Sequence, residues 1–499
     1  MDTVSVRVIL DFFAQETRTE VRVAIVHYHL EPGGVTRVIE NTLESFRQEL
    51  ESPQFVVLTG RKYPGDKIKN VQIVEGLDYT SSTNLISPSV LKERLEKAAK
   101  VGLGGKPDIW HIHNHSLGKN ASLTKAVALL AEDANPMLLH PHDFAEDGRP
   151  SNFSTLKEVY SSAYPCSSTV HYATLNHRDH TFLQKVFSNK ASPVHLLANA
   201  ISIPSSAQEV NTLPHPELPD NLFLYPVRAV RRKNLGELAL IAASYPEKHF
   251  ANSLGPTNPE FQPIFKRWEQ FSNEINLPVT FALGEKTSVS FPEMVDHADG
   301  ILSTSIAEGF GLGFLEPWMS GKFLWGRNIP EITLDFSSLG INLNHLYQRI
   351  NINLEHLQNK GSLSSKIQTT LEKFFLEYQQ EMPSNATDIA YQSMVQNDQI
   401  DFGRLDEVLQ EEIILSISKS TEARDEIRSQ VKLERIDSEI ILKNKESINE
   451  NFAPKSYTTK LKHIYEKILH SKQDQLEFAH GEHLLESFLS PARLNLLRT

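Results

Sequence analysis

Short, wholly apolar runs alternate with longer amphipathic stretches over the first two-thirds of this chain, and that pattern most limits what it can fold into. The runs are Val21–Val26, Phe55–Leu58, Ile109–Ile112, Met137–Leu139, Val194–Leu197, Phe223–Tyr225, Val279–Leu283 and Gly300–Leu302. Several are apolar throughout instead of alternating, as strands are when helices cover both faces of a parallel sheet. Segments between them, such as Val35–Phe46 and Leu91–Lys100, have helical spacing. The implied class is α/β with parallel sheets.

At 499 residues the chain exceeds one ordinary core. Prolines and serines between Pro204 and Pro219 mark a linker, after which the alternation starts afresh. The expected division is an N-terminal Rossmann-like domain over 1–205, a second over 206–475, and a tail over 476–499 packing back on the first. Past about residue 335 the alternation gives way to helical spacing with charged runs such as Glu422–Glu434, and 336–398 reads as a helical insertion.

A net charge of −12 argues against a nucleic-acid-coating surface, yet leaves room for a local basic cluster at Arg228, Arg231, Arg232 and Lys233. One cysteine, Cys166, excludes an intramolecular disulfide and cysteine-based zinc sites. In Met1–Glu20 the apolar piece Val8–Leu10 is bracketed by Arg7 and Asp11, unlike a signal peptide or a membrane span. The expectation is a cytoplasmic chain without a transmembrane segment; its oligomeric state stays open.

Chemistry concentrates between Ala298 and Ile332. A strand over Asp299–Ser303 is followed by a loop bearing Gly309, Gly311 and Gly313, and then by a helix expected over 313–320. Backbone amides at a loop-to-helix junction favour an anion, and Glu308 and Glu316 flank that junction. Two carboxylates beside a phosphate site suit a ligand that also carries hydroxyls. By themselves these residues more often make a glycine turn with two surface glutamates.

Histidines recur at His111, His113 and His115 and again at His140 and His142. At the strand period of two, the first three would share one face, which raises a metal site. Few acidic partners at ligand spacing accompany them, and no metal or other cofactor is expected.

The segment from Ala298 to Leu312, with Glu308 and Glu316 spaced as Glu-x7-Glu, resembles the donor-site signature of the family 4 retaining glycosyltransferases. That resemblance implies the GT-B fold, two Rossmann-like domains facing across a cleft. It implies a nucleotide-diphosphate sugar as donor and an unidentified hydroxyl as acceptor. Glu308 would contact the donor sugar, the amides of Gly309, Phe310, Gly311 and Leu312 the diphosphate or sugar, and Glu316 the ribose. Val227–Asn234 resembles the family's Arg at the end of the second domain's first strand with a Lys five residues later, so Arg228 and Lys233 would meet the diphosphate, although Val227 stands where the family has glycine. Gly33 and Gly34 match its first glycine loop. Asp108–Asn114 and Leu138–Asp143 match two strand ends lining the acceptor side, which makes His142 the preferred active-site residue and His113, Asn114 and Asp143 its neighbours. Asn199–Ile201, with Ala200 for glycine, Phe281–Glu285, Pro330–Ile332 and the late helix Lys455–Leu469 are further echoes.

The expected activity is therefore metal-independent hexosyl transfer with retention, assigned to His142, Arg228, Lys233 and Glu308. Two other readings stand beside it: a catalytically silent sugar-nucleotide-binding protein on the same fold, and a metal hydrolase built on the histidines.

Overall fold

The computed structural model describes residues 20–47, 49, 51–80, 86–188, 190–201, 215–357, 361–434 and 438–498. Met1–Thr19 and the 202–214 part of the expected linker lie outside the described residues. Two compact units divide the chain.

The first unit is built on a parallel sheet. Its strands are β1 (Arg22–Val26), β2 (Gln54–Thr59), β3 (Val71–Ile73), β4 (Ile109–His113), β5 (Met137–His140), β7 (Val170–Thr174) and β8 (Val194–Leu196), while β6 (Pro165–Cys166) lies apart. The order β3-β2-β1-β4-β5-β7-β8 has every neighbouring pair parallel. Val23, Ile25, Ile109 and Leu138 pack on Ile39 and Phe46 of the helix Gly34–Arg47. Tyr457, Leu461, Ile464 and Ile468 of the helix Pro454–His470 complete that core. Each such fully buried aliphatic side chain contributes roughly 1.5–3 kcal/mol.

The second unit holds β9 (Leu222–Arg228), β10 (His249–Leu254), β11 (Val279–Thr280), β12 (Gly300–Ser303) and β13 (Leu324–Gly326) in the order β11-β10-β9-β12-β13, again parallel throughout. In sequence order this is the 3-2-1-4-5 arrangement of a Rossmann-like sheet. The same arrangement begins the first sheet. A small antiparallel sheet, β14 (Asn351–Asn353), β16 (Gln399–Asp401) and β15 (Val395–Gln396), belongs to this unit too.

Several expectations need correction. The Pro454–Leu485 segment joins the first unit, not the second, because the helix Pro454–His470 seals that unit's core and β17 (Glu477–Phe478) pairs with β6. Residues 486–499 join the second unit in place of the first. The stretch 336–398 is not wholly helical: it contributes β14 and β15, and β14 pairs with β16 beyond its end. The run Val279–Leu283 is extended only to Thr280, since Ala282 is left-handed at φ 52° and opens a 3-10 turn. Of the parallel-sheet strands, β3, β7, β10 and β13 were absent from the expected set. Among the described residues, no helix is long and apolar enough to cross a membrane.

Candidate functional site

In a doubly wound sheet, ligands bind beyond the carboxyl ends of the strands, where the strand order reverses. In the second unit that point lies between β9 and β12. The two segments singled out in the sequence leave the sheet there, which gives their side chains a physical reason to meet.

After β9 the chain makes a 3-10 turn over Arg231–Lys233, and Asn234 (φ 52°) turns it into the helix Leu235–Ser244. Thr304 after β12 holds that turn by donating its hydroxyl to the Lys233 and Asn234 carbonyls at 2.9 and 3.1 Å. The Ile306 amide donates to the Arg232 carbonyl at 3.0 Å. The two loops are thereby stitched together, and their side chains converge on Glu308. Lys233 Nζ donates to Glu308 Oε1, and Arg232 Nη1 donates to Oε2 at 2.8 Å.

The Glu308 and Lys233 side chains are only 13 % and 14 % exposed, so this ion pair is largely withdrawn from water. Burial alone would raise the Glu308 pKa, but the charges of Lys233 and Arg232 outweigh it and hold the carboxyl at about 2. Burial in turn lowers the Lys233 pKa, opposed by Glu308. Near neutral pH the result is an ionised carboxylate clasped by two cations.

Arg232 is the member of this cluster that the sequence reading did not select; the basic run Arg231-Arg232-Lys233 was its only signal. Arg231 points elsewhere, forming a two-pronged pair with Glu407 at 2.8 and 2.9 Å. Arg228, at the exposed end of β9, donates to the Gly255 carbonyl at 3.1 Å.

The expected helix over 313–320 is a 3-10 turn at Leu312–Phe314 followed by one helical turn, Glu316–Met319. A single turn carries little dipole, so the anion argument rests on loop amides and cations instead of a helix end. Gly311 adopts φ 90°, and a Cβ there would lie 2.9 Å from the Ile332 side chain. Gly309 offers its carbonyl to Asn176 Nδ2 at 2.7 Å. Phe310 is buried against Phe336 and Phe452, which makes it an anchor for the loop. Glu316 is exposed at the start of the short helix.

A cavity of about 340 Å³ opens beside Glu308, lined also by Arg178, Asn328, Glu331, Arg404 and Arg493. Below it lies a residue missed in the sequence reading. Arg327 is buried and bonded to both carboxylates of Glu237 and Asp401, at 2.6 to 3.1 Å. No sequence motif announces it, because its partners come from distant segments.

In the first unit the corresponding edge carries imidazoles. Strand β4 ends at His113 because Asn114 turns left-handed at φ 56°. Asn114 Oδ1 then accepts the amides of His142 and Asp143 at 2.6 and 3.2 Å. His113 Nδ1 and His142 Nε2 share a hydrogen bond of 2.8 Å. These four candidates are thus brought together. Asp143 is tied in addition to Arg149 at 2.5 Å.

Burial pushes the His142 imidazole down to about 4, with Asp143 opposing, and drives His113 well below its ordinary value. Both rings are neutral near pH 7. The expectation that His115 shares a face with His111 and His113 fails: beyond the left-handed Asn114 it turns away, and its Nε2 pairs with the Ala163 carbonyl at 2.9 Å. His27, at the end of β1, is buried with its ring 6.3 Å from that of His113. Gly33 and Gly34 follow at the start of the helix Gly34–Arg47, where an added Cβ would meet open space at Gly34.

This architecture is the GT-B fold, with two Rossmann-like domains and added helices. The chain is similar in fold to a sucrose-phosphate synthase from Thermosynechococcus elongatus, at 13% identity and a TM-score of 0.51 over 90% of this chain and 99% of that one. It is likewise similar to a glycosyltransferase from Rickettsia africae ESF-5, at 14% identity and a TM-score of 0.50 over 91% of this chain and 100% of that one. In sequence it is similar to the mannosylglucosyl-3-phosphoglycerate synthase of Petrotoga mobilis (strain DSM 10674 / SJ95), 27% identical over 341 residues. That match covers 63% of this chain and 66% of the relative, just under two-thirds of its length. No family model matches the chain.

Proposed function

We propose that the chain is a glycosyltransferase that moves a hexose from a nucleotide-diphosphate sugar to an acceptor hydroxyl with retention of configuration. The observation that carries this reading is the clasp of Lys233 and Arg232 on a largely buried, ionised Glu308 at the β9/β12 switch point. A carboxylate in that state accepts hydrogen bonds from sugar hydroxyls. The cations beside it are placed to turn to a diphosphate when one arrives. Glycosyltransferase relatives and the family 4 likeness of Glu308 and Glu316 support the same reading.

Departure of the nucleoside diphosphate concentrates negative charge on its phosphate oxygens. Arg228, Lys233 and the amides following Glu308 stabilise that charge without a metal at the phosphates. Glu308 orients the sugar, and Glu316 takes the ribose. Neutral His142, its orientation set by His113 and the Asn114-anchored backbone, bonds the reacting sugar or the incoming hydroxyl. No side chain is assigned as general base; the leaving phosphate accepts the acceptor's proton.

The test is a thermal-shift and transfer screen with UDP, GDP and ADP and their glucose and mannose conjugates. A glycosylated 3-phosphoglycerate is the first acceptor to try, given the name of the Petrotoga relative. Stabilisation by one nucleotide family, and transfer strongly reduced by Glu308→Ala and by Lys233→Ala in folded protein, is the expected result. Indifference to every nucleotide would overturn the reading.

A further inference from the structure

The transferase reading uses His142 and His113 but leaves His111 and His140 without a task, although both are buried in the sheet. Strands β4 and β5 run parallel with His113 paired to His140, so these two side chains share a face. His111 lies two residues before His113, and His142 two residues after His140. The four imidazoles form a stack, with centroids 5.4 Å apart for His111 and His140, 5.1 Å for His113 and His140, and 4.3 Å for His140 and His142. One ring nitrogen from each of His111, His113 and His140 lies within 4.8 Å of the other two.

Their hydrogen bonding leaves one buried ring nitrogen of His140 unpartnered among the described residues. His111 Nδ1 meets the Tyr465 hydroxyl at 2.8 Å, which turns its Nε2 toward His140 Nδ1 at 3.2 Å. His140 Nε2 is fully buried and has no hydrogen-bond partner among the described residues. A ligating histidine normally has its second nitrogen held by such an outer partner, and Tyr465 provides one for His111.

We propose that His111, His113 and His140 bind one zinc-like transition-metal ion within the first unit. An all-imidazole set suits zinc and its borderline neighbours and not magnesium or calcium, which require oxygen ligands. Tetrahedral zinc places its ligand nitrogens roughly 3.3 Å apart. Small rotations of these rings therefore close the set around the ion. Burial makes the site structural: the ion ties β4 to β5 and, through Tyr465, to the helix Pro454–His470. It takes no part in the transfer chemistry, so the inference stands or falls apart from the proposed function.

The experiment uses the full-length chain without a histidine tag, stripped by chelator and titrated with Co(II). One equivalent should produce the intense visible bands of tetrahedral Co(II), bleached by one equivalent of Zn(II), with a higher Tm for the loaded protein. The His111→Gln/His140→Gln double variant should lose the bands, and the His195→Gln control should keep them. Failure of the wild type to show the bands in several-fold excess Co(II) overturns the proposal, as do bands that persist in the double variant. Should the double variant not fold, the wild-type spectrum and its Zn(II) competition decide the matter.

Discussion

The carboxyl edge of the first sheet is lined by neutral imidazoles, whereas that of the second is lined by full charges. In the second unit each buried charge has an opposite partner: Glu308 has Lys233 and Arg232, and Arg327 has Glu237 and Asp401. In the first unit seven histidines, His27, His111, His113, His115, His140, His142 and His171, are buried with no hydrogen-bonded carboxylate among the described residues, and desolvation keeps them uncharged. A Rossmann-like sheet presents strand ends either way. What differs is how the cost of burial is met, by pairing in one unit and by loss of the proton in the other.

Breaking the charged side should have the largest effect. Arg327→Met leaves Glu237 and Asp401 facing each other in the interior and should cost about 3–5 kcal/mol, read as a lower midpoint in chemical denaturation. Glu308→Ala should reduce transfer by about 10²- to 10³-fold, the scale for losing one preorganised polar group, with circular dichroism unchanged. Lys233→Ala should act in the same direction on transfer. A variant of either kind with full activity would separate the clasp from the chemistry.

Acid should distinguish the two units by sign and by range. In unfolded chain these histidines protonate near 6.5, while in the fold His142 holds out to about 4 and His27 and His111 to about 3. Their contribution to stability is therefore complete above 6.5 and is lost as pH falls from there toward 3–4. Glu146, raised to about 7 by burial, works in the opposite direction but is a single group. Glu308, lowered from 4.5 to about 2, contributes stability that is full above 4.5 and lost only below it. Amide exchange at pH 5 should thus quicken in the first unit while the second remains protected; simultaneous loss in both would erase the distinction. The smallest effect is expected for Tyr465→Phe, which removes one buried hydrogen bond to His111 and should cost about 1 kcal/mol, measured as a small fall in Tm.

The apolar runs predicted most of the strands that carry the site, because a strand buried on both faces admits little besides apolar residues. They did not reveal β7, whose Val170-His171-Tyr172-Ala173-Thr174 mixes polar and apolar side chains, or β10, whose His249, Asn252 and Ser253 interrupt the run. Of the candidate residues, Glu308 and Lys233 were legible through spacing and resemblance, and the structure joins them directly. Arg232 was hidden inside a basic run in which only contact distinguishes one cation from the next. The expected helix at 313–320 shrank to short turns because Gly311 is left-handed and Pro317 follows closely.

The sequence by itself determined that this chain forms parallel α/β layers, since strand and helix periods are local properties of consecutive residues. It also placed chemically loaded loops after β9 and β12 and imidazoles at the ends of β4 and β5. Only the tertiary structure decided that Arg232 shares Glu308 with Lys233, that Arg327 bridges Glu237 and Asp401, and that Tyr465 reaches His111 across 354 residues. It also returned residues 454–485 to the first unit. Those outcomes depend on which distant surfaces exclude water together, and no local pattern encodes that.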